Sequence, residues 1–339
     1  MFSKETYEGR RAELQGKIDG GLLLFLGNGE SPMNFTDNCF PFRQDSSFLY
    51  YFGLDQPDLA AVIDVDEDGA VIFGDELTID HIVWMGDLPT IAERAATVGV
   101  TDTRPRSALA EVVTAAVNAG REVRFLPPYR ADNALLLHEL MDVPQREAPD
   151  RASLDFIRAV VEQRSIKSDE EIVELDRAVD ISVEMHSAAM RMARPGMLES
   201  EIAAEVERIA VAAGGRISFP VIATIHGETL HNHYHGNVLS DGDLFLLDAG
   251  AETAMGYAGD LSSTFPVSPK FSERQRTIYE LQLAAYDTAV AMLAPGVPNR
   301  DVHFAAARVI AQGMKAVSYT HLRAHETIHA IAYAVFCLK

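Results

Sequence analysis

Two aspartates, Asp248 and Asp260, lie twelve residues apart in a stretch of apolar residues and glycines. Asp248 ends an apolar segment, residues 244–247, that is typical of a buried strand, and a carboxylate at that position needs something to compensate its charge. Gly250 and Gly259 allow tight turning and close backbone approach. If the two segments form a hairpin, both carboxylates project from one face and repel each other unless a divalent cation lies between them. The spacing alone fits equally well two turn aspartates that cap loops.

Three histidines, His231, His233 and His235, occupy alternate positions shortly before these aspartates. On a strand they would share one face, which fits a three-histidine zinc site. One functional histidine with two hydrogen-bonded polar neighbours near a cleft fits the same spacing, so the pattern leaves both interpretations open.

A further histidine pair, His325 and His329, has the spacing of a zinc-peptidase helix, with Glu326 in the place of the general base. No third ligand follows the pair in the sequence. The segment that begins at Val317 also resembles translated sequencing-adapter read-through and not a protein domain. We therefore predict that residues 317–339 are a non-native tail without a zinc site.

The elements that must position these residues follow an order typical of two domains, as expected for 339 residues. In the first 150 residues, strands are predicted at residues 22–26, 60–65, 70–73 and 122–126. Helices there are predicted at residues 3–18, 89–98, 107–119 and 133–142. This alternation predicts an α/β domain.

From residue 151 onward the pattern changes to long helices and antiparallel strands. Helices are predicted at residues 168–194, 199–213, 272–294 and from 299. Strands are predicted at residues 219–224, 244–247 and 256–267. Ser272 and Gln275 form a capping box at the start of the third of these helices. The second half is therefore predicted to be an α+β domain.

The composition narrows the range of partners and compartments. A net charge of −21 repels nucleic acid and anionic membranes, so neither is an expected partner. The two cysteines, Cys39 and Cys337, give no disulfide framework and fit a reducing compartment. No segment approaches the ~20 apolar residues of a membrane span. We therefore expect a cytoplasmic protein.

Motifs in both halves of the chain occur in the order found in one peptidase family. They are residues 40–54 (F-P-F-R-Q-D-S-S-F-L-Y-Y-F-G-L), 164–172 (R-S-I-K-S-D-E-E-I), 247–250 (L-D-A-G) and 256–267 (G-Y-A-G-D-L-S-S-T-F-P-V). Together they resemble the Xaa-Pro aminopeptidases of the pita-bread metallopeptidase superfamily. The resemblance implies an aminopeptidase P N-terminal α/β domain in residues 1–150 and an α+β pita-bread catalytic domain, incomplete in this chain, in residues 151–316.

The resemblance also implies a function for the three candidate residues. Asp248 and Asp260 match the family's first two metal ligands, and His231 matches the histidine that contacts substrate, whereas His233 and His235 match nothing. Two divalent ions, usually manganese, would share a bridging hydroxide that attacks the peptide bond preceding proline. The expected partner is a peptide with proline in second position, and the expected full-length state is a homo-oligomer.

The remaining family ligands, a histidine and two glutamates on later strands, have no match in this sequence. We therefore expect the chain as written to bind metal weakly and to be inactive. Two alternatives stay open. A dipeptidase of the same superfamily, prolidase, shares the hairpin, and metal-free pita-bread domains can serve as peptide-binding modules.

Overall fold

The computed structural model describes residues 1–316, which form two compact units. The first unit is Met1–Glu170, and the second begins at Glu171. Among the described residues, no helix is both long enough and apolar enough to cross a lipid bilayer.

The first unit is built around one mixed sheet. Its helices are α1 (Lys4–Gln15), α2 (Ser46–Phe52), α3 (Ile79–Met85), α4 (Ile91–Ala96), α5 (Ala108–Asn118), α6 (Ala131–Met141) and α7 (Leu154–Ser165). Its strands are β1 (Leu22–Leu26), β2 (Ala60–Asp64), β3 (Gly69–Phe73), β4 (Asp102–Arg104) and β5 (Val123–Phe125). The sheet order is β4-β3-β2-β1-β5, with β1–β5 and β3–β4 parallel and the other pairs antiparallel.

Both faces of this sheet are buried at its central strands, β1 and β2. Leu23 and Phe25 of β1 pack into a core with the aromatic residues of α2, including Tyr51 and Phe52. Leu22 and Leu24 point to the opposite face and pack against residues of α5 and α6. Because successive strand residues face opposite sides, a strand covered on both faces must be apolar throughout, which explains the uninterrupted run L-L-L-F-L.

The second unit combines long helices with short antiparallel sheets. Its helices are α8 (Asp169–Met192), α9 (Glu199–Ala212), α10 (Glu273–Ala291) and α11 (Asn299–Ala316). Its strands are β6 (Arg216–Ile217), β7 (Ile222–Thr224), β8 (Leu244–Ala249), β9 (Ala251–Glu252) and β10 (Leu261–Pro266). β10, β8 and β7 form a three-stranded sheet in that order, and β6 pairs with β9.

One face of the three-stranded sheet is buried against α8 and α9. Phe245, Leu247 and Ala249 of β8 lie in one core with Met185 of α8 and Val206 of α9. The alternate residues of β8 therefore point to the opposite face. The α/β and α+β architecture predicted from the sequence is confirmed.

Candidate metal centre

The predicted hairpin is present, and it brings Asp248 and Asp260 to one cavity. Asp248 on β8 lies directly opposite Ser262 on β10, and Ile222 of β7 flanks it on the other side. Asp260 precedes β10, two residues before Ser262, so extended backbone places it on the same face. Asp248, Asp260 and Ser262 all line one cavity of about 500 Å³.

The hairpin closes so tightly that two glycines are required. A Cβ atom on Gly250 would collide with the backbone carbonyl of Gly259 on the facing segment. A Cβ atom on Gly259 would collide with Ser182 Oγ and the carbonyl of Ala178 on α8. Gly259 N donates to Ala251 O at 2.8 Å, which continues the strand pairing beyond β8. The close approach at Gly250 and Gly259 constrains the backbone that carries both aspartates.

Asp248 occupies an electrostatically unfavourable position for a carboxylate. Its Oδ1 atom is buried and has no hydrogen-bond partner among residues 1–316. Burial raises the pKa of Asp248, the Ser262 hydrogen bond opposes this rise, and the neighbouring Asp260 adds to it. His186 and His231 are close enough to lower the pKa of Asp248 by their charge. A divalent cation bound by Asp248 and Asp260 would relieve both the burial and the repulsion.

A buried histidine that the sequence analysis did not single out ties the hairpin to α8. His186 Nε2 donates to Ala249 O at 3.1 Å, and His186 Nδ1 lies 2.6 Å from Ser263 Oγ. Burial lowers the pKa of His186. In the neutral ring with Nε2 protonated, Nδ1 accepts a hydrogen bond from the Ser263 hydroxyl. His186 thus holds both strands of the hairpin, one residue from Asp248.

The three alternating histidines lie on a loop, residues 225–237, and not on a strand; we call this segment the histidine loop. Of the two interpretations left open, the one in which a strand places all three histidines on one face therefore does not hold. His231 and His233 line the cavity beside Asp248. His235 Nε2 instead donates to Val221 O at 3.1 Å. The strand β7 stops at Thr224 because the chain then turns away to form this loop.

The rest of the cavity wall is largely apolar. Leu246 and Thr264 extend the sheet face, and the aromatic residues Tyr279 and Tyr286 contribute from α10. Such a lining with few polar groups is typical of a site that excludes water around a small number of reactive atoms.

The described residues supply only part of a metal site. Asp248 and Asp260 offer the hard oxygen ligands that divalent cations prefer, and the unpartnered Oδ1 of Asp248 fits a ligand atom. Within residues 1–316, however, no group of three or more His, Cys, Asp and Glu side chains could hold a metal ion. The motif formed by His325, Glu326 and His329 lies outside the described residues.

Family models match both halves of the chain. Residues 7–124 match the model described as "Aminopeptidase P, N-terminal domain". Residues 174–336 match "Metallopeptidase family M24", which includes Asp248 and Asp260.

Curated relatives match over nearly the whole chain. The Xaa-Pro aminopeptidase of Haemophilus influenzae is 30% identical, with 92% of this chain and 72% of the relative aligned. The Xaa-Pro aminopeptidase of Escherichia coli is 27% identical, with 92% of this chain and 73% of the relative aligned.

Solved structures agree with these relatives. A low-pH form of Escherichia coli aminopeptidase P superposes with a TM-score of 0.85 at 27% identity, covering 98% of this chain and 78% of that one. The Pseudomonas aeruginosa aminopeptidase PepP gives a TM-score of 0.84 at 25% identity, covering 99% and 77%. With both domain models in order, a hairpin that presents two aspartates, and relatives matched over most of their length, the chain belongs to the Xaa-Pro aminopeptidases of the pita-bread metallopeptidase superfamily.

Proposed function

We propose that Asp248 and Asp260 hold divalent metal, with two Mn²⁺ or other divalent ions in the complete enzyme, and that the enzyme releases the N-terminal residue from peptides with proline in second position. The buried, unpartnered Oδ1 of Asp248 beside a second carboxylate is the observation that carries this proposal. A protein that only needed a turn residue there would gain nothing from an unpaired buried oxygen, which costs free energy.

The side chains of the cavity have separable tasks in this proposal. Asp248 and Asp260 fix the cation on the sheet face. His231, on the histidine loop, contacts the substrate from the cavity wall. The apolar wall around Leu246 and Tyr286 excludes water from the reacting bond. When bound, divalent metal lowers the pKa of water and polarises the peptide carbonyl.

We further propose that the 339-residue chain as it stands binds metal weakly and is inactive. The cavity offers two carboxylates, and a divalent ion held by two carboxylates keeps most of its water ligands. Calorimetric titration with Mn²⁺ tests this, and we expect a dissociation constant on the order of 0.1–1 mM. Micromolar binding of two ions would contradict it.

Substrate class is tested with matched peptides on a version of the protein that is active. A tripeptide with proline in second position should be cleaved, whereas the same tripeptide with alanine there should not. Cleavage of the Xaa-Pro dipeptide alone would favour a prolidase. Peptide binding that persists in EDTA without hydrolysis would favour a metal-free peptide-binding module, which the unpartnered Asp248 oxygen argues against.

We propose the domain limits 1–150 for the aminopeptidase P N-terminal domain, 151–316 for the catalytic domain and 317–339 for a non-native tail. The family model extends to residue 336, into the proposed tail. The genomic sequence downstream of codon 316 decides the point: a histidine and two glutamates on later strands are expected there. A cytoplasmic location and a homo-oligomeric full-length enzyme complete the proposal.

A further inference from the structure

A buried glutamate at the start of α9 contacts both ends of the histidine loop. Glu199 is 0% exposed. Its Oε1 accepts a hydrogen bond from Ile225 N at 2.8 Å, at the first residue of the loop. Its Oε2 accepts from Asn237 N at 3.3 Å and from Asn237 Nδ2 at 3.0 Å, at the last residue. One carboxylate therefore bridges two backbone positions twelve residues apart.

The backbone around Glu199 secures only one of these two ends. Glu199 N donates to Asn237 O and Ser200 N donates to His235 O, both at 3.0 Å. A bridge between Leu198 and Val238 continues this pairing beyond the loop. At the other end, the Ile225 N–H is satisfied by the Glu199 side chain. The carboxylate thus joins the loop end that pairs with the start of α9 to the loop end that leaves β7, where Thr224 pairs with Leu246 of β8.

The chemistry of the contact requires a carboxylate. All three partners are N–H donors, and an ionised glutamate has only acceptor atoms. A glutamine of the same shape would present an amide NH₂ either to Ile225 N or to Asn237. At one end of the loop, two N–H donors would then face each other. Glu199 is also the first residue of α9, and a helix N-terminus is a favourable place for a negatively charged side chain.

We infer that Glu199 is a positioning residue that holds the histidine loop closed, so that His231 and His233 stay on the cavity wall. Thr224 adds a second contact from its buried side chain, because Thr224 Oγ1 accepts from Asn232 Nδ2 at 3.2 Å, between the two histidines. The functional consequence, that the closed loop serves substrate binding, rests on the proposed role of His231. The structural consequence, that Glu199 keeps the loop closed, does not depend on that role.

The first test measures the loop itself in the full chain. Hydrogen exchange, followed by mass spectrometry on residues 225–237, is compared for the native chain, Glu199→Gln and Glu207→Gln. Glu207 lies on the exposed side of the same helix and serves as the matched control. We expect the loop amides of Glu199→Gln to exchange about 10- to 100-fold faster, because a charge-assisted contact to a buried donor is lost. The β8 and β10 amides should not change.

The second test measures where the histidine rings are. With ¹⁵N-labelled histidine, the His231 resonance, assigned by His231→Gln, should shift and broaden in Glu199→Gln, whereas the His186 resonance should stay in place. Asn237→Ala removes one of the three donors and keeps Glu199, so a smaller change in the same direction is expected. This milder variant keeps the test available if Glu199→Gln does not fold.

Two results would overturn the inference: a folded Glu199→Gln chain with native exchange in the loop, or faster exchange spread over β8 and β10 as well. The proposed function fails separately. If the loop opens in Glu199→Gln but His231→Gln binds the proline tripeptide as tightly as the native chain, Glu199 still positions the loop and His231 is not a substrate contact. If His231 is needed for binding and Glu199→Gln leaves the loop unchanged, only the role of Glu199 is wrong.

Discussion

The β8–β10 hairpin and the histidine loop bring side chains to the same cavity, but different interactions hold them there. The hairpin is fixed by six consecutive residue pairs between β8 and β10 and by the close approach of Gly250 and Gly259. The histidine loop has no regular structure, and a few contacts hold it. They are backbone bonds to the start of α9, the His235 bond to Val221 O, and the bonds to the buried side chains of Glu199 and Thr224.

This difference matches the task that each region has in the proposed function. Metal ligands need a geometry that side-chain substitutions nearby cannot disturb, and a paired backbone supplies it. A substrate-contacting residue needs to adjust as peptides enter and leave, and a loop held by a few polar contacts opens at lower free-energy cost than a strand. Backbone changes should therefore damage the hairpin most, and side-chain changes should damage the loop most.

The largest expected effect comes from adding one methyl group to the hairpin. In Gly250→Ala the new Cβ collides with the Gly259 carbonyl, a backbone atom that cannot move without breaking strand pairing. We expect a loss of about 1–3 kcal/mol in the free energy of unfolding, as for other overpacked sites. Urea denaturation measures it. Gly9→Ala, on α1 with no atom within 4 Å of the added Cβ, is the control and should not destabilise the chain.

A somewhat smaller loss is expected when the contact between α8 and the hairpin is removed. His186→Phe fills the buried space but leaves Ala249 O and the Ser263 hydroxyl without their partner. We expect a cost of about 1–3 kcal/mol for these unsatisfied groups, in the lower part of that range because Ser263 can reorient. Thermal unfolding checks the prediction, and an unchanged melting temperature would show that the strand pairing alone holds the hairpin.

The pH dependence of stability gives an independent check on the same residue. Because burial lowers the pKa of His186, the unfolded chain binds its proton more readily than the native chain. The stability contribution of the neutral ring is complete above the ordinary histidine pKa of about 6.5 and is lost as the pH falls below it. The native chain should therefore lose more stability than His186→Phe between pH 7 and pH 5.

The β8–β10 hairpin was predictable from the sequence for a physical reason. An apolar strand that ends in an aspartate, followed by glycines and a second aspartate, is a local pattern, and the structure places Asp248 and Asp260 on the same cavity. The bounds of strand β1 were predicted correctly because a strand buried on both faces is apolar throughout. The apolar run therefore marks where the strand begins and ends. The capping box at Ser272 and Gln275 was likewise confirmed.

What the sequence did not reveal depends on distant contacts. The helix α2 was missed because its aromatic residues have weak helix propensity, and burial together with the Asp45 cap stabilises it. The alternation of histidines is compatible with a strand, but the segment is a loop whose first residue donates a hydrogen bond to Glu199 of α9. His186 and Glu199 carry no local motif, since their partners lie 63 and 26 residues away in the chain.

A further prediction separates metal affinity from stability in the hairpin. Asp248→Asn keeps the shape of the side chain and the strand pairing but removes a charged ligand. We expect Mn²⁺ affinity to fall by about tenfold or more, equal to about 1.4 kcal/mol, with no loss in the free energy of unfolding. Asp260→Asn is the matched variant, just before the facing strand β10. A large loss of stability in either variant would mean that the carboxylates, and not the paired backbone, organise the hairpin.

The smallest effect should appear in the histidine loop, where the substitution removes a single hydroxyl oxygen. Thr224→Val is nearly isosteric but removes the acceptor for Asn232 Nδ2 and for His226 N, at 3.2 and 2.9 Å. We expect a cost of about 0.5–1.5 kcal/mol, confined to residues 225–237 and visible as faster hydrogen exchange there. Thr264→Val, on β10 in the same cavity wall, is the control that leaves the loop untouched.

Because Glu199 still bridges the loop ends, the opening in Thr224→Val should be smaller than in Glu199→Gln. If the two were equal, the contact at the middle of the loop would matter as much as the bridge between its ends, and the loop would have two clamps of similar strength.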